Sequence, residues 1–322
     1  MKPNIIVIGS LNTDIVGLGV NKILKKGEYT LGGKLKIGPG GKSRNIAQMI
    51  SMLGESKVYM LGKTSMDPAG LWKYPVNALK NAGVDTTYVK KLKFKETSEF
   101  PGIALIPVDK KGNNQIYVLP GISSHFNEKD IDHADSLFSK VKKSNGIFVT
   151  TLELPIKTAA YAIDKASKSN IKVLLDPGGI IEGINYTKIL RKEIFFLKPN
   201  EHEAEILTGI KVSNFTTARK AANKLLKRNI NNVLITHGAK GGYFFNKAGS
   251  KHIPAPKIRS SKNNDETGSG DQTMAAIAAL LSEGMEIDKA VEIGIIAGTL
   301  QFQKTGIQSI TRRELNKHLK NN

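Results

Sequence analysis

The run from Asn263 to Asp271, Asn-Asn-Asp-Glu-Thr-Gly-Ser-Gly-Asp, carries the strongest chemical signal in the chain. Gly268-Ser269-Gly270 has little side-chain bulk, so successive backbone N–H groups can turn toward one point. An amphipathic segment follows, with Met274, Ile277, Ala278 and Leu281 on one face. The start of a helix favours negative charge, through its free N–H groups and its dipole. That combination suits a transferring phosphoryl group, and an aspartate there can take the proton of a substrate hydroxyl. The same residues also fit a plainer account, in which Asp271 caps the helix and the glycines form a tight turn.

Five other segments carry candidate ligands. Gly38-Pro-Gly-Gly-Lys-Ser-Arg-Asn45 opens a helix, but position 36 is Lys, so the phosphate-loop spacing fails, as does the dinucleotide glycine fingerprint. A glycine pair followed by Lys42 and Asn45 suits a polyol held by backbone and amide groups; a glycine-rich helix entry with Lys42 in solvent is the alternative. Asn12 and Asp14 stand two apart on an extended segment, hence on one face, just past a strand end where α/β sheets bind ligands. They are equally common turn residues. Glu153 follows a second strand and can face the same crevice or solvent. Leu197-Lys-Pro-Asn-Glu-His-Glu203 begins a helix with Asn200 as a cap; its amide and carboxylates suit a hydrated Mg²⁺ beside phosphates. His202 reads as a surface residue. Thr236-His-Gly-Ala-Lys-Gly241 is a strand-to-turn segment able to contact a nucleotide, and His237 has no partner pattern for metal or nucleophilic chemistry.

The elements that must position these residues alternate between strand and helix, the signature of a doubly wound, mostly parallel sheet. Strands are expected at 4–9, 57–61, 146–149, 172–175, 194–197 and 232–236. Helices are expected at 43–53, 68–82, 156–168, 201–207, 216–227, 271–281, 289–302 and 312–319. Two stretches, 14–37 and 89–119, break the alternation with strand runs at 29–37, 102–108 and 115–119, and Lys110–Asn114 has hairpin-turn composition. They read as insertions forming a small β-sheet lid on a single domain spanning 1–322. Ile103, Leu105, Ile116 and Val118 are expected to supply its apolar face, with Lys91, Lys93 and Lys95 blunting an open edge.

Composition excludes other classes. The chain has no cysteine, so neither a disulfide framework nor a thiolate metal site is available. No stretch approaches the ~20 apolar residues of a membrane span, and the N-terminal apolar run is too short for a secretory signal. A cytoplasmic location is the expectation. The net charge of +20 raises the question of nucleic acid. Only seven of the 48 basic residues are arginine and the lysines are dispersed, so a solvated surface that attracts anionic substrates is the better reading.

Taken in order, GSLNTD (9–14), GGKSRN (40–45), TLE (151–153), LKPNEHE (197–203), ITHGAKGG (235–242), DETGSGD (265–271) and KTGIQS (304–309) resemble the ribokinase-like (PfkB) carbohydrate kinase family, from residue 5 to about 310. The DxTGxGD and GGKxxN segments are its most diagnostic parts. The resemblance implies that Asp271 is the catalytic base and that Gly268, Ser269 and Gly270 form the anion hole. It implies that Asn12, Asp14, Gly41, Lys42, Asn45 and Glu153 hold a sugar. Asn200, Thr236, Gly238 and Gly306 would line the ATP site, and Glu203 would hold Mg²⁺ through water. Asp265 and Thr267 would hold a monovalent cation such as K⁺. The lid would close over sugar and could clasp a second subunit as a homodimer. Within the family, Gly-Ser-x-Asn-x-Asp with Gly-Gly-Lys-x-x-Asn resembles the ribose-specific branch, implying transfer to O5 of D-ribose. The alternatives are another sugar, a sugar phosphate or a nucleoside, and, in a different class, a catalytically inactive sugar or nucleotide sensor. Ser43-Arg44 replaces the usual Gly-Ala, Gly62-Lys-Thr-Ser-Met-Asp67 lacks the second glycine common after the second strand, and the usual Phe after Asp271 is absent. The Arg44 guanidinium is chemically suited to a phosphate already on the substrate.

Overall fold

β1 (Asn4–Ile8) is apolar in four of five positions and wholly buried, as a strand covered on both faces must be. The computed structural model describes residues 2–257 and 265–320. Along it follow β2 (Asn12–Val20), β3 (Lys34–Gly40), β4 (Lys57–Met66), β5 (Val89–Lys93), β6 (Gly102–Asp109), β7 (Tyr117–Leu119), β8 (Ile147–Thr151), β9 (Lys172–Asp176), β10 (Ile194–Leu197), β11 (Ile230–Thr236), β12 (Gly242–Asn246) and β13 (Ser250–Ile253).

Nine strands form one sheet in the order β13-β12-β11-β10-β9-β8-β1-β4-β5. The pairs from β11 to β5 are parallel, and β12 and β13 add an antiparallel edge. Helices cover both faces and divide the core in two. Ile6 and Ile8 of β1 join Phe148, Leu175 and the 156–168 helix on one side. Ile5 and Val7 join Met49, Ile50 and the buried Ser269–Ser282 helix on the other. This alternation along β1 is the period-2 geometry of a strand. The fold is therefore the doubly wound α/β arrangement expected. Among the described residues, no helix is long and apolar enough to cross a membrane.

A second, four-stranded sheet has the order β3-β2-β6-β7. Its boundaries differ from those read in the sequence. Residues 89–93 are not part of it: β5 pairs in parallel with β4 at the edge of the large sheet, so Lys91 and Lys93 flank that edge instead. Strand structure in the first insertion begins at Asn12 and resumes at Lys34, leaving Tyr29–Gly33 outside it. Ile103 pairs with Leu119 and Leu105 with Tyr117, so Ile116 and Val118 do not share the face of Ile103 and Leu105. A shift of one residue exchanges the two faces of a strand, and the short β7 carried too little pattern to fix it. The 68–82 helix begins at Lys73, because Asp67 ties down the amides of Leu71 and Trp72 in the loop before it.

Candidate active site

The sequence-predicted residues are spread over β2 of the small sheet, the starts of the helices at 42–53, 201–208 and 269–282, and the loops after β8, β11 and the 287–302 helix. β1 ends at Ile8, and the chain turns through Gly9–Leu11 into β2, which carries Asn12 and Asp14 on the same face. β2 pairs with β3 so that Asn12 stands opposite Gly40 and Asp14 opposite Gly38. The space these side chains need explains the glycines. A Cβ on Gly40 would come within 1.7 Å of Asp14 Oδ1, and one on Gly102 within 2.2 Å of Asn12 Oδ1. Gly41, at φ 93°, then turns the chain into the Lys42–Leu53 helix.

That helix delivers Lys42 and Asn45 to Asp271. Asn45 Nδ2 donates to Asp271 Oδ2 at 2.7 Å, and Lys42 Nζ lies 3.9 Å from Asp271 Oδ1. The Lys42 backbone N–H donates to Glu153 Oε2 at 2.7 Å, and the Ser10 hydroxyl donates to the same oxygen. Asp271 foremost, with Asp176, Glu153 and Glu203 adding to it, holds the Lys42 ammonium above the ordinary lysine range against the cost of its burial. Burial pushes the Glu153 carboxyl up, and Lys42 pulls it back. Asp14 is pushed up to about 6, first by burial; Arg44 opposes the rise while Glu153 and Asp271 add to it.

Asp271 does not cap its helix. The cap position is Gly268 at φ 77°, with no side-chain cap, and Asp271 sits in the first turn of Ser269–Ser282 with its carboxylate turned to Asn45. Of the two accounts left open by the sequence, the plain capping one fails. The Ser269 hydroxyl is buried and has no hydrogen-bond partner among the described residues. Asn263 and Asn264, the start of the same motif, lie outside the described residues.

Asn200 and Glu203 form a reciprocal capping box: Glu203 N donates to Asn200 Oδ1 at 2.8 Å, and Asn200 N to Glu203 Oε2 at 2.9 Å. An isolated bridge sets Asn200 beside Thr236, with Gly238 in the following turn at φ 49°. Two residues went unnoticed in the sequence. Lys198 and Asp176 make an almost fully buried ion pair at 2.8 Å. A Cβ placed on Gly270 would stand 3.5 Å from Lys198 Nζ, so this ammonium adjoins the glycine turn. A lysine next to Pro-Asn and an aspartate at a strand end were the available signal. Burial first, then Asp176, raises the Glu203 carboxyl, while Lys198 opposes them.

Asp265, Thr267 and Gly306 also converge. Asp265 Oδ1 accepts from the Thr267 amide at 2.9 Å and from its hydroxyl, and Asp265 Oδ2 accepts from Gly306 N at 2.8 Å. Burial opposes ionisation of Asp265, but these bonds outweigh it and hold its carboxyl below the usual range. Gln301, also unnoticed, donates to Gly306 O at 2.9 Å.

Arg44 corrects an expectation. Its side chain is fully buried, and its donors are taken by Gly40 O, Pro39 O, Gln48 Oε1 and Asn45 Oδ1. A guanidinium spent on four acceptors inside the protein has little left for a substrate phosphate.

The buried Asp271 carboxyl thus stands in the first turn of a helix opened by a glycine turn, bonded to Asn45 and facing Lys42, with Glu153 bonded to the Lys42 amide. The chain belongs to the pfkB family of carbohydrate kinases, which it matches over residues 2–313. It is 31% identical over 320 residues to the ribokinase of Haemophilus influenzae, covering 98% of this chain and 97% of that one. It is 29% identical over 306 residues to the deoxyribokinase of Salmonella typhi, covering 95% and 94%. The structure of Arabidopsis thaliana ribokinase complexed with ribose and ATP superposes with a TM-score of 0.84, at 27% identity and 99% coverage of both chains. The protein is a sugar kinase.

Proposed function

We propose that this kinase transfers the γ-phosphoryl group of ATP to O5 of D-ribose. The observation that carries the reading is the Asn45–Asp271–Lys42 cluster at the glycine turn: one carboxylate is held 2.7 Å from an amide and 3.9 Å from an ammonium. In this reading Asn12, Asp14, Lys42, Asn45 and Glu153 hold the sugar hydroxyls, with the Gly41 backbone in close approach. Asp271 accepts the proton of O5, and the Gly268, Ser269 and Gly270 N–H groups meet the charge that develops on the transferring group. Lys198, held by Asp176, adds a fixed positive charge on the same side.

Asn200, Thr236, Gly238 and Gly306 flank the nucleotide. Glu203, with Asp176 close by, fits a Mg²⁺ that keeps most of its waters, because such an ion needs only one or two carboxylates. When bound, it neutralises phosphate charge. Asp265 and Thr267 fit a monovalent cation such as K⁺, where a carboxylate already stitches two loops beside the anion hole. The internal saturation of Arg44 speaks against a substrate that already carries a phosphate, and relatives of this chain include both a ribokinase and a deoxyribokinase.

A panel of ribose, deoxyribose, fructose, fructose 6-phosphate and nucleosides, with ADP formation as readout, tests the choice. Ribose is expected to give the highest kcat/KM. A site that hydrogen-bonds a hydroxyl can reject the analogue lacking it by up to ~10⁴-fold. Equal rates on ribose and fructose 6-phosphate would overturn the assignment.

The four-stranded sheet is a lid in the same reading. One face carries Asn12 and Asp14; the other presents exposed Leu105 paired with Tyr117, and exposed Leu35 two residues further along. A small sheet buries too little apolar surface to stand alone, so the outer face is proposed to meet a second copy of the chain; sedimentation as a monomer at all concentrations would remove that part. Closure excludes water from the phosphotransfer. Amide exchange in residues 12–40 and 102–119 is expected to slow at least ~10-fold with ribose, and much less with ATP alone. Protection confined to residues 265–285 would rule out a sugar-gated lid.

A further inference from the structure

Among the described residues Arg44 is a buried cation with no carboxylate within ion-pair distance, unlike the buried Lys198, which has Asp176. Burying a charge without a direct counter-charge is costly, so its four hydrogen bonds need a reason. They run to three different places. Nε donates to Gly40 O at 3.2 Å and Nη2 to Pro39 O at 2.7 Å, which grips the last residues of lid strand β3. Nη2 also donates to Asn45 Oδ1, and Asn45 Nδ2 donates to Asp271 Oδ2. Nη1 donates to Gln48 Oε1, and Gln48 Nε2 reaches Ser309 Oγ at 3.4 Å, in the loop that follows Gly306.

The middle contact has a consequence for the base. An asparagine amide is nearly symmetric in shape, and only its partners decide which end is oxygen. Arg44 can only donate, so it fixes the oxygen of Asn45 on its own side and leaves the NH₂ end facing Asp271. With the amide reversed, an oxygen would oppose the carboxylate and repel it. We propose that Arg44 is a positioning residue that sets the Asn45 amide toward Asp271 and ties that arrangement to lid strand β3. The inference rests on Asp271 acting as the base, and it assigns no contact between Arg44 and the substrate.

The charge has a second effect through Asp14. The charged groups acting on Asp14 are Arg44, which favours its ionised form, and Glu153 and Asp271, which disfavour it. Burial first, then Glu153 and Asp271, push the Asp14 carboxyl up to about 6 against Arg44. Sugar capture by the carboxylate form therefore fails as the pH falls through that value. Without the guanidinium, the opposing effects act unchecked and the acid limb of kcat/KM moves to higher pH.

Arg44→Gln and Arg44→Lys test both parts, with kcat, the KM for sugar and for ATP, and the pH profile measured alongside thermal unfolding. In Arg44→Gln, kcat is expected to fall at least ~10-fold, the scale of a misplaced reacting group, with KM for ATP little changed and the acid limb displaced upward. In Arg44→Lys the charge remains but the fork is lost, so the limb returns toward the native position while kcat stays low. Folded variants with native kcat and an unmoved limb would overturn the proposal. If neither variant folds, Gln48→Leu removes only the outer support of the guanidinium. A smaller kcat loss at unchanged melting temperature supports the proposal, and native kcat overturns it. An active Asp271→Asn enzyme would instead remove the reading on which the inference rests, whatever Arg44 does.

Discussion

Replacing Asp271 with Asn is expected to lower kcat by at least ~10²-fold while ATP binds with little change, since a positioned general base contributes at least that much. The geometry makes the substitution a clean one. Asp271 is almost fully buried, its Oδ2 accepts from Asn45, and its backbone lies in the first turn of a helix capped by Gly268. Asparagine keeps the shape, retains one oxygen for Asn45, and leaves the helix start intact. The attraction to Lys42 Nζ at 3.9 Å disappears, but that lysine side chain is partly exposed to the cleft and can turn to solvent or to Glu153. The melting temperature should therefore stay close to that of the native protein, so that a loss of turnover reports chemistry and not unfolding. Calorimetric titration with ATP and steady-state rates on ribose give the two readouts. Native turnover in the variant would leave Asp271 with only a structural task.

What the sequence disclosed depended on how local each signal was. Glycine turns, helix starts and strand ends are written in a few adjacent residues, so Gly40–Asn45, Asn200–Glu203 and Asp265–Asp271 could be found without coordinates. Their convergence could not be computed from spacing. The Asn45–Asp271 bond joins residues 226 positions apart, and nothing in either segment names the other. The alternating buried strands of the large sheet were legible because both faces are covered and each strand is a short apolar run. β5 was not: Val-Lys-Lys-Leu-Lys is a solvated edge strand with only Val89 buried, which reads like a loop. β12 and β13 were missed for a different reason. They follow a helix-rich stretch, and Gly242–Asn246 lies so close to the Thr236–Gly241 turn that its aromatic run was absorbed into it. Lys198 and Asp176 were passed over because charged residues are seldom fully buried. Only the fold shows that the ends of β9 and the loop after β10 press them together.

That pair gives the second large effect. Lys198→Met is expected to destabilise the protein by about 3–5 kcal/mol, the cost of leaving one partner of a buried ion pair uncompensated. The melting temperature should fall by roughly 5–15 °C. Lys198 Nζ and Asp176 Oδ2 are 2.8 Å apart, and both side chains are less than 5% exposed. Asp176 Oδ1 is already committed to the Gly178 amide at 2.9 Å, which cannot substitute for a full positive charge. Glu203 makes matters worse, because burial and then Asp176 raise its carboxyl, and Lys198 leads the groups that restrain it. Methionine fills the lysine's volume without its charge, so two interacting carboxyls would remain, with Lys42 still acting on both. Such a site relieves itself by binding a proton. The folded variant would then hold a proton that the unfolded chain releases, and stability must fall as pH rises through the interval between the two states' pKa values. The deficit relative to the native protein is accordingly expected to be largest above neutral pH and to shrink toward pH 5. Asp176→Leu added to Lys198→Met removes the stranded charge, so the double variant should recover much of the lost stability while still binding ATP less tightly, because the cation beside Gly270 is gone. Melting curves across pH for the single and double variants decide the matter. A single variant as stable as the native protein at pH 8 would mean that water reaches the pair, and that Lys198 is not held there at the expense of the fold.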